Sequence, residues 1–382
     1  MRLSLRSLNL FYAGLAYLLI AAIGVSFYWV FRPVFIDPLD QDTVFVVMGA
    51  RIGLEQGWTH LYSFSLQQHY YAMMRPGAEF DQLARYLHPP PFAIIFIPLT
   101  LVSLPVAFWI FFVINLASLL ATWYITAPGQ GLGGPRLLLL LGALAWYPVL
   151  FELREGQPVM LVVLALTGCW YFANSGRPWI AGLVLAVGVV KPQLYFWLPA
   201  CFVLAGYWRV AAAWAVTASI LALASLALIG QQGLHDYLGL LDFARNIVFN
   251  RYFTLAYIFG PGPATTVAQL LVVAGGLFAA FRMRGAPVAG IIALGVVTSM
   301  LAIPYDHVHD FAVLVPAVFL YLRGEAPAWQ RAWLLVVWVS IELMWPASPL
   351  PLLVSLAVWL LLIALPKPTP SPRQEPAAVA AA

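Results

Sequence analysis

Apolar segments of roughly bilayer-crossing length follow one another along almost the whole chain, and this repetition leaves few folds open. The first runs from Leu8 to Phe31, and others fall at 89–104, 105–126, 136–151, 157–173, 178–206, 210–230, 263–281, 286–303, 309–323, 331–346 and 349–365. Lengths near 20 residues suit helices that cross a membrane, where every backbone polar group must be satisfied within the segment. Only 9% of the residues are charged and 63% are hydrophobic, whereas a soluble domain carries roughly 25% charged residues. A soluble core cannot bury that much apolar surface. The expected fold class is an all-α polytopic membrane protein of about ten to twelve transmembrane helices.

One segment breaks the pattern. Arg32 to His88 is polar and holds six of the fifteen carboxylates (Asp37, Asp40, Asp42, Glu55, Glu79, Asp81) and three of the six histidines (His60, His69, His88). It is expected to form a large first extracytoplasmic loop with short interfacial helices. The Leu8–Phe31 run is long for a signal-peptide core, and no small-residue cleavage site follows it, so a retained first span is expected. Cys169 and Cys201 lie inside apolar segments and give neither a disulfide framework nor metal-ligand spacing. The net charge of +4 is scattered over short loops without a basic stripe, which argues against a nucleic-acid partner. Residues 1–365 read as a single integral-membrane domain and 366–382, rich in Pro and Ala, as a disordered cytoplasmic tail.

Lysine and arginine placement sets the orientation. Arg2 and Arg6 put the N-terminus in the cytoplasm, and the short basic loops at Arg136, Arg177, Arg209, Arg282 to Arg284, Arg323 to Arg331 and the Lys367/Arg373 tail fall on the same side. The insertion, Glu152–Gln157, Lys191–Gln193, Gln231–Tyr257 and Tyr305–Asp310 then lie outside. This sorting sends eleven Lys/Arg against two acids to the inner side, and thirteen acids with all six histidines to the outer side. The protein is therefore expected in the cytoplasmic membrane of the cell, with an outward-facing site. By parity, either 89–104 does not cross fully or the orientation is reversed on one side of it. His88-Pro89-Pro90-Pro91 cannot sit inside a helix, because proline lacks the amide donor and clashes with the preceding turn. A half-helix starting near Pro91 fits.

Several outer residues have the chemistry for a reaction. Asp42 opens a helix whose apolar positions include Phe45, Val46, Met48 and Ile52. It either caps that helix by accepting backbone N–H bonds or serves as a general base for an incoming hydroxyl. The aromatic and His-rich stretch from Trp58 to Tyr71 suits either membrane-surface anchoring or stacking on sugar faces. Glu152-Leu153-Arg154-Glu155-Gly156-Gln157 needs a wet or paired setting, which an Arg154 ion pair would supply. Lys191-Pro192-Gln193 interrupts an apolar run, where a lysine must snorkel, pair or face water. With Arg245 and Arg251 it is suited to a lipid phosphate. Tyr305-Asp306-His307-Val308-His309-Asp310 is the densest polar cluster. Its His-x-His-Asp pattern admits a metal, but no further ligands have recognisable spacing. His309 and Asp310 are expected to start the next helix and to bind a phosphate or sugar hydroxyl or to orient the Asp42 carboxylate.

In this order, these residues resemble the integral-membrane GT-C glycosyltransferases, and most closely family 87, which includes polyprenyl-phosphate-mannose-dependent α-mannosyltransferases. The resemblance rests on Asp42 to Ala50, Gly57 to Tyr62, Tyr86 to Phe92, Asn115, Gly156-Gln157, Gly182 to Gln193 and Tyr305 to Asp310, and spans about residues 30–320. Two positions depart from the family's pattern. Pro158 stands where Asn usually follows Gly-Gln, and His88 stands where Tyr usually precedes Pro-Pro. The resemblance implies a GT-C-like bundle and transfer of a hexose, mannose foremost, from a polyprenyl-phosphate sugar to a lipid or glycan acceptor, with inversion. It implies Asp42 as base, with Lys191, Arg245, Arg251 and His309 on the donor phosphate. His88, Gln157, Gln193, Tyr305 and Asp310 would bind acceptor or sugar. It implies no metal and no cofactor beyond the lipid-linked donor. Two other readings use the same apolar pattern: a transporter or flippase for a lipid-linked sugar, and a non-catalytic membrane subunit of an envelope-assembly complex.

Overall fold

The computed structural model describes residues 5–365 except 38, 40, 81–84, 130, 132, 325 and 344–347, and no side chain before Leu10. Arg2, the side chain of Arg6, Asp40, Asp81, Glu325 and the 366–382 tail thus lie outside the described residues. The fold is 81% helical with no strand among the described residues, an all-α polytopic membrane protein.

Among the described residues, four helices have the length and hydropathy of a full crossing: Leu10–Ile36, Leu104–Thr126, Trp208–Asn246 and Pro263–Arg282. A fifth arises if Gly134–Ala145 and Tyr147–Glu155, bent by 58°, are taken as one broken span. The other apolar segments are shorter helices, including Val159–Asn174, Val288–Ala302 and Leu350–Ala364. The apolar segments of the sequence are thus met by long helices and shorter ones together, and proline divides some of them. The 178–206 stretch is the clearest case. It folds as Pro178–Val190 and Pro192–Ala205, parted at Lys191, whose φ of −147° and ψ of 70° leave the helical region. Proline at 192 removes a helical N–H and disfavours helical geometry in the residue before it.

Val288–Ala302 is apolar around its whole circumference and is buried along nearly all its length, as such a helix must be. Pro263–Arg282, Leu198–Ala205, Leu314–Arg323 and Leu350–Ala364 pack around it. The first helix instead leaves a broad apolar surface outward, with Leu10, Tyr17 and Leu18 exposed, which suits a lipid-facing span.

The insertion folds into Thr43–Glu55, the short turn Trp58–His60 and Phe64–Met74. Its aromatic stretch is mostly scaffold: Tyr62, Tyr70 and Tyr71 are buried. Gln67 clasps the Tyr86 backbone, accepting from its N–H at 3.0 Å and donating to its carbonyl at 3.4 Å. Gly49 lets the Tyr86 ring approach, because a Cβ there would lie 3.0 Å from the ring. The chain then enters Pro90–Ile95 and Ile97–Leu101. At about 1.5 to 2 Å per residue neither piece spans a bilayer, which agrees with the expected half-helix.

The 231–257 stretch differs from the expected polar loop. Trp208–Asn246 continues through it, with a break at Gly230, where φ is 62° and ψ is −167°. The part beyond Gly230 packs on the Trp58–His60 turn. Gly233 allows this approach, since a Cβ there would stand 3.1 Å from the Thr59 carbonyl.

Candidate active site

Several stretches of chain, distant in sequence, close around one cavity of about 650 Å³. The insertion contributes Asp42, Arg85, Tyr86 and His88, the broken 178–205 segment contributes Lys191, Gln193 and Trp197, and the late loop contributes Tyr305, His307 and His309. Gln157 enters from the turn between Tyr147–Glu155 and Val159–Asn174. This volume lies within the usual range for small-ligand pockets, roughly 300–1,000 Å³.

Asp42 stands at the N-cap position of Thr43–Glu55, yet its side chain makes no capping hydrogen bond. Its Oδ2 instead accepts from Gln157 Nε2 at 2.5 Å. Burial raises the Asp42 carboxyl above the ordinary carboxylate range. The Gln157 hydrogen bond, followed by the charges of His307, Lys191 and Arg154, pulls it back down. A partly buried carboxylate supported in this way is a proton acceptor poised nearer neutrality than a solvated one.

Lys191 is 5% exposed and occupies the break in its helix. Its ammonium forms an ion pair with the buried Asp310, lies 3.1 Å from His309 Nε2 and donates to Gln157 Oε1 at 3.4 Å. Pairing and a cavity wall, not snorkelling, hold it there. Asp310 also accepts the His307 backbone N–H at 3.2 Å, closing the first turn of Val308–Val313. The His307 and His309 rings stack at 5.3 Å with an angle of 2°. His307, His309 and Asp310 bring possible metal-ligating atoms within 4.8 Å of one another. The Lys191 ammonium, however, already pairs with Asp310 and abuts His309, so a metal ion held there would stand against an ammonium.

His88 is held by its own backbone: Tyr62 Oη donates to the His88 carbonyl at 2.9 Å, and Tyr86 Oη to the Pro89 carbonyl at 3.1 Å. Burial, followed by the Lys191 charge, lowers the His88 imidazole to about 3, so it is neutral at physiological pH. Gln157 is anchored by Asn115, whose Nδ2 donates to the Gln157 carbonyl at 3.1 Å. Arg154 pairs with Glu155, as the sequence suggests it can.

Of the ten residues singled out from sequence, Asp42, His88, Gln157, Lys191, Gln193, Tyr305 and His309 line the cavity, and Asp310 supports it from behind. Arg245 and Arg251 are not brought to it. Arg245 is exposed and pairs with Asp242 at 2.6 Å, while Arg251 donates to the Arg245 carbonyl at 2.7 Å and to Asn246 Oδ1 at 2.9 Å. Continuation of the helix to Asn246 turns Arg245 outward. Sequence reasoning passed over Arg85, Trp197, Tyr237 and Asn250 as cavity residues. Trp197 carries no sequence signal inside its apolar run. Tyr237 sits at helical spacing from Leu234 and Leu241, a signal obscured by Gly230 and Gly233.

A comparison with protein-family models matches residues 86–304 to glycosyltransferase family 87. No curated protein and no solved structure matches the chain.

Proposed function

The chain belongs to glycosyltransferase family 87, and on that premise we propose that it moves a hexose, mannose foremost, from a polyprenyl-phosphate sugar to a lipid or glycan acceptor. In this reading Asp42 takes the proton of the acceptor hydroxyl as its oxygen attacks the anomeric carbon. The bond from that carbon to the phosphate oxygen breaks, its electron pair stays on the phosphate, and the configuration inverts. Lys191, with His309 beside it, faces the negative charge that grows on the leaving phosphate, where a preorganised cation lowers the barrier most. The observation that carries this reading is the meeting of one carboxylate and one buried ammonium in a single cavity, bridged by Gln157. The cavity margin adds support for a lipid-linked donor: Phe196 and Phe249 line it and are each about half exposed, a surface suited to an isoprenoid chain. Because Lys191 supplies the positive charge, the reading assigns no step to a metal. The site faces outward from the cytoplasmic membrane, with the N-terminus inside.

The test is transfer by the purified protein from a labelled β-linked polyprenyl-phosphate hexose to a total membrane lipid extract, with the product's anomeric configuration read by NMR. An α-linked product is expected. A β-linked product would rule out single-step inversion at Asp42.

A further inference from the structure

Gln157 touches both ends of the proposed reaction centre, donating to Asp42 Oδ2 at 2.5 Å and accepting from Lys191 Nζ at 3.4 Å. Its partners fix which way round the amide sits. An ammonium can only donate and an ionised carboxylate can only accept, so the reversed amide would face like with like at both ends. The backbone is fixed as well. Gly156 has φ of 66°, and a Cβ there would lie 2.0 Å from Thr43 Oγ1, beside Asp42. Only glycine lets the two segments come this close. Asn115 then holds the Gln157 carbonyl, and the residue is 8% exposed.

We propose that Gln157 is a positioning residue that clamps the Asp42 carboxylate in register with the Lys191 ammonium, so that base and phosphate-binding cation meet one donor together. This goes beyond a sugar-binding role for Gln157 and rests on the reading of Asp42 as the base. The clamp occupies Oδ2. With Oδ2 held by Gln157, the acceptor proton is assigned to Oδ1. The amide hydrogen bond favours the ionised form of Asp42 against the burial that opposes it. The other groups acting on Asp42 are His307, Lys191 and Arg154, and His88 borders Gln157.

The experiment measures kcat/KM against pH for the wild type, Gln157→Glu, Gln157→Met and Asp42→Asn. Labelled polyprenyl-phosphate mannose, glucose and galactose are offered as donors and total membrane lipid extract as acceptor. Gln157→Glu sets a second carboxylate against Asp42, and Gln157→Met removes donor and acceptor at similar length. Both should move the acid limb upward by about one pH unit and lower kcat/KM at neutral pH by about tenfold or more. A rise in acceptor KM with an unmoved acid limb, while Asp42→Asn is inactive, overturns the positioning role alone. Transfer retained by Asp42→Asn, or absent from every donor with the wild type, overturns the base assignment beneath it. Folding is checked by monodispersity in detergent. If Gln157→Glu does not fold, Gln157→Met decides, and loss of folding in both would make the residue structural and also overturn the proposal.

Discussion

Lys191 shows how much a single residue can disclose. A charge in the middle of an apolar run is expensive unless paired, and the structure supplies the pair, Asp310, more than a hundred positions away. Breaking a buried pair from one side leaves an uncompensated charge and costs about 3–5 kcal/mol. Lys191→Met is therefore expected to destabilise the protein, and Lys191→Met with Asp310→Asn to recover much of the loss in a detergent melting assay. Neither should recover transfer, which falls by about 10²–10³ when a preorganised charge partner of the leaving group is removed. Arg245→Met, at an exposed pair, should leave transfer within about twofold of the wild type, since exposed pairs contribute little. Wild-type transfer by the double variant would remove Lys191 from the mechanism. The contrast also marks what was legible. Lys191 announces itself by the cost of its surroundings, whereas Arg245 and Arg251 announce only their charge. The Asp242 to Arg245 spacing, a helical pair, held the information that Arg245 is engaged elsewhere.

At the scale of elements, the site is made by interruptions. The break at Lys191 and the left-handed turn at Gly156 each stop a helix beside a polar residue that lines the cavity, Lys191 and Gln157, and a third interruption bends the chain between Ala145 and Tyr147. Freed backbone groups are satisfied locally; Glu342 Oε1, for example, accepts the Tyr147 N–H at 2.9 Å. Discontinuous helices are the usual way to bring polar groups to membrane depth without exposing backbone to lipid. Proline and glycine made several of these breaks readable from sequence, including the start of the short helix at Pro90. The helix beyond Gly230 was not readable, because glycine at 230 and 233 reads as a turn while serving close packing on Thr59. The insertion helices also give a test of orientation. His69 is exposed on Phe64–Met74, and Cys169 and Cys201 are buried. His69→Cys should react with a membrane-impermeant maleimide added to intact cells. Labelling only after permeabilisation would place the insertion, and with it the site, on the cytoplasmic side.

At the scale of the molecule, the insertion between the first two long spans and the loop before Leu314–Arg323 are far apart in the chain and meet only because Val288–Ala302 and its neighbours form a buried central pack. The fold class was legible because bilayer physics leaves few alternatives for so apolar a chain. The cavity itself was legible only as a list of polar residues sorted to one side. Which of them meet depends on long-range packing that periodicity does not encode, and this is why Asp42 and Lys191 could be named while the Gln157 bridge between them could not. The decisive measurement is sugar transfer by purified Asp42→Asn compared with the wild type, each first shown to be monodisperse with an unchanged melting temperature. A fall of about 10²–10⁴ in transfer is expected for loss of a general base. Transfer at the wild-type rate by the folded variant would contradict the assignment of Asp42 and the mechanism built on it.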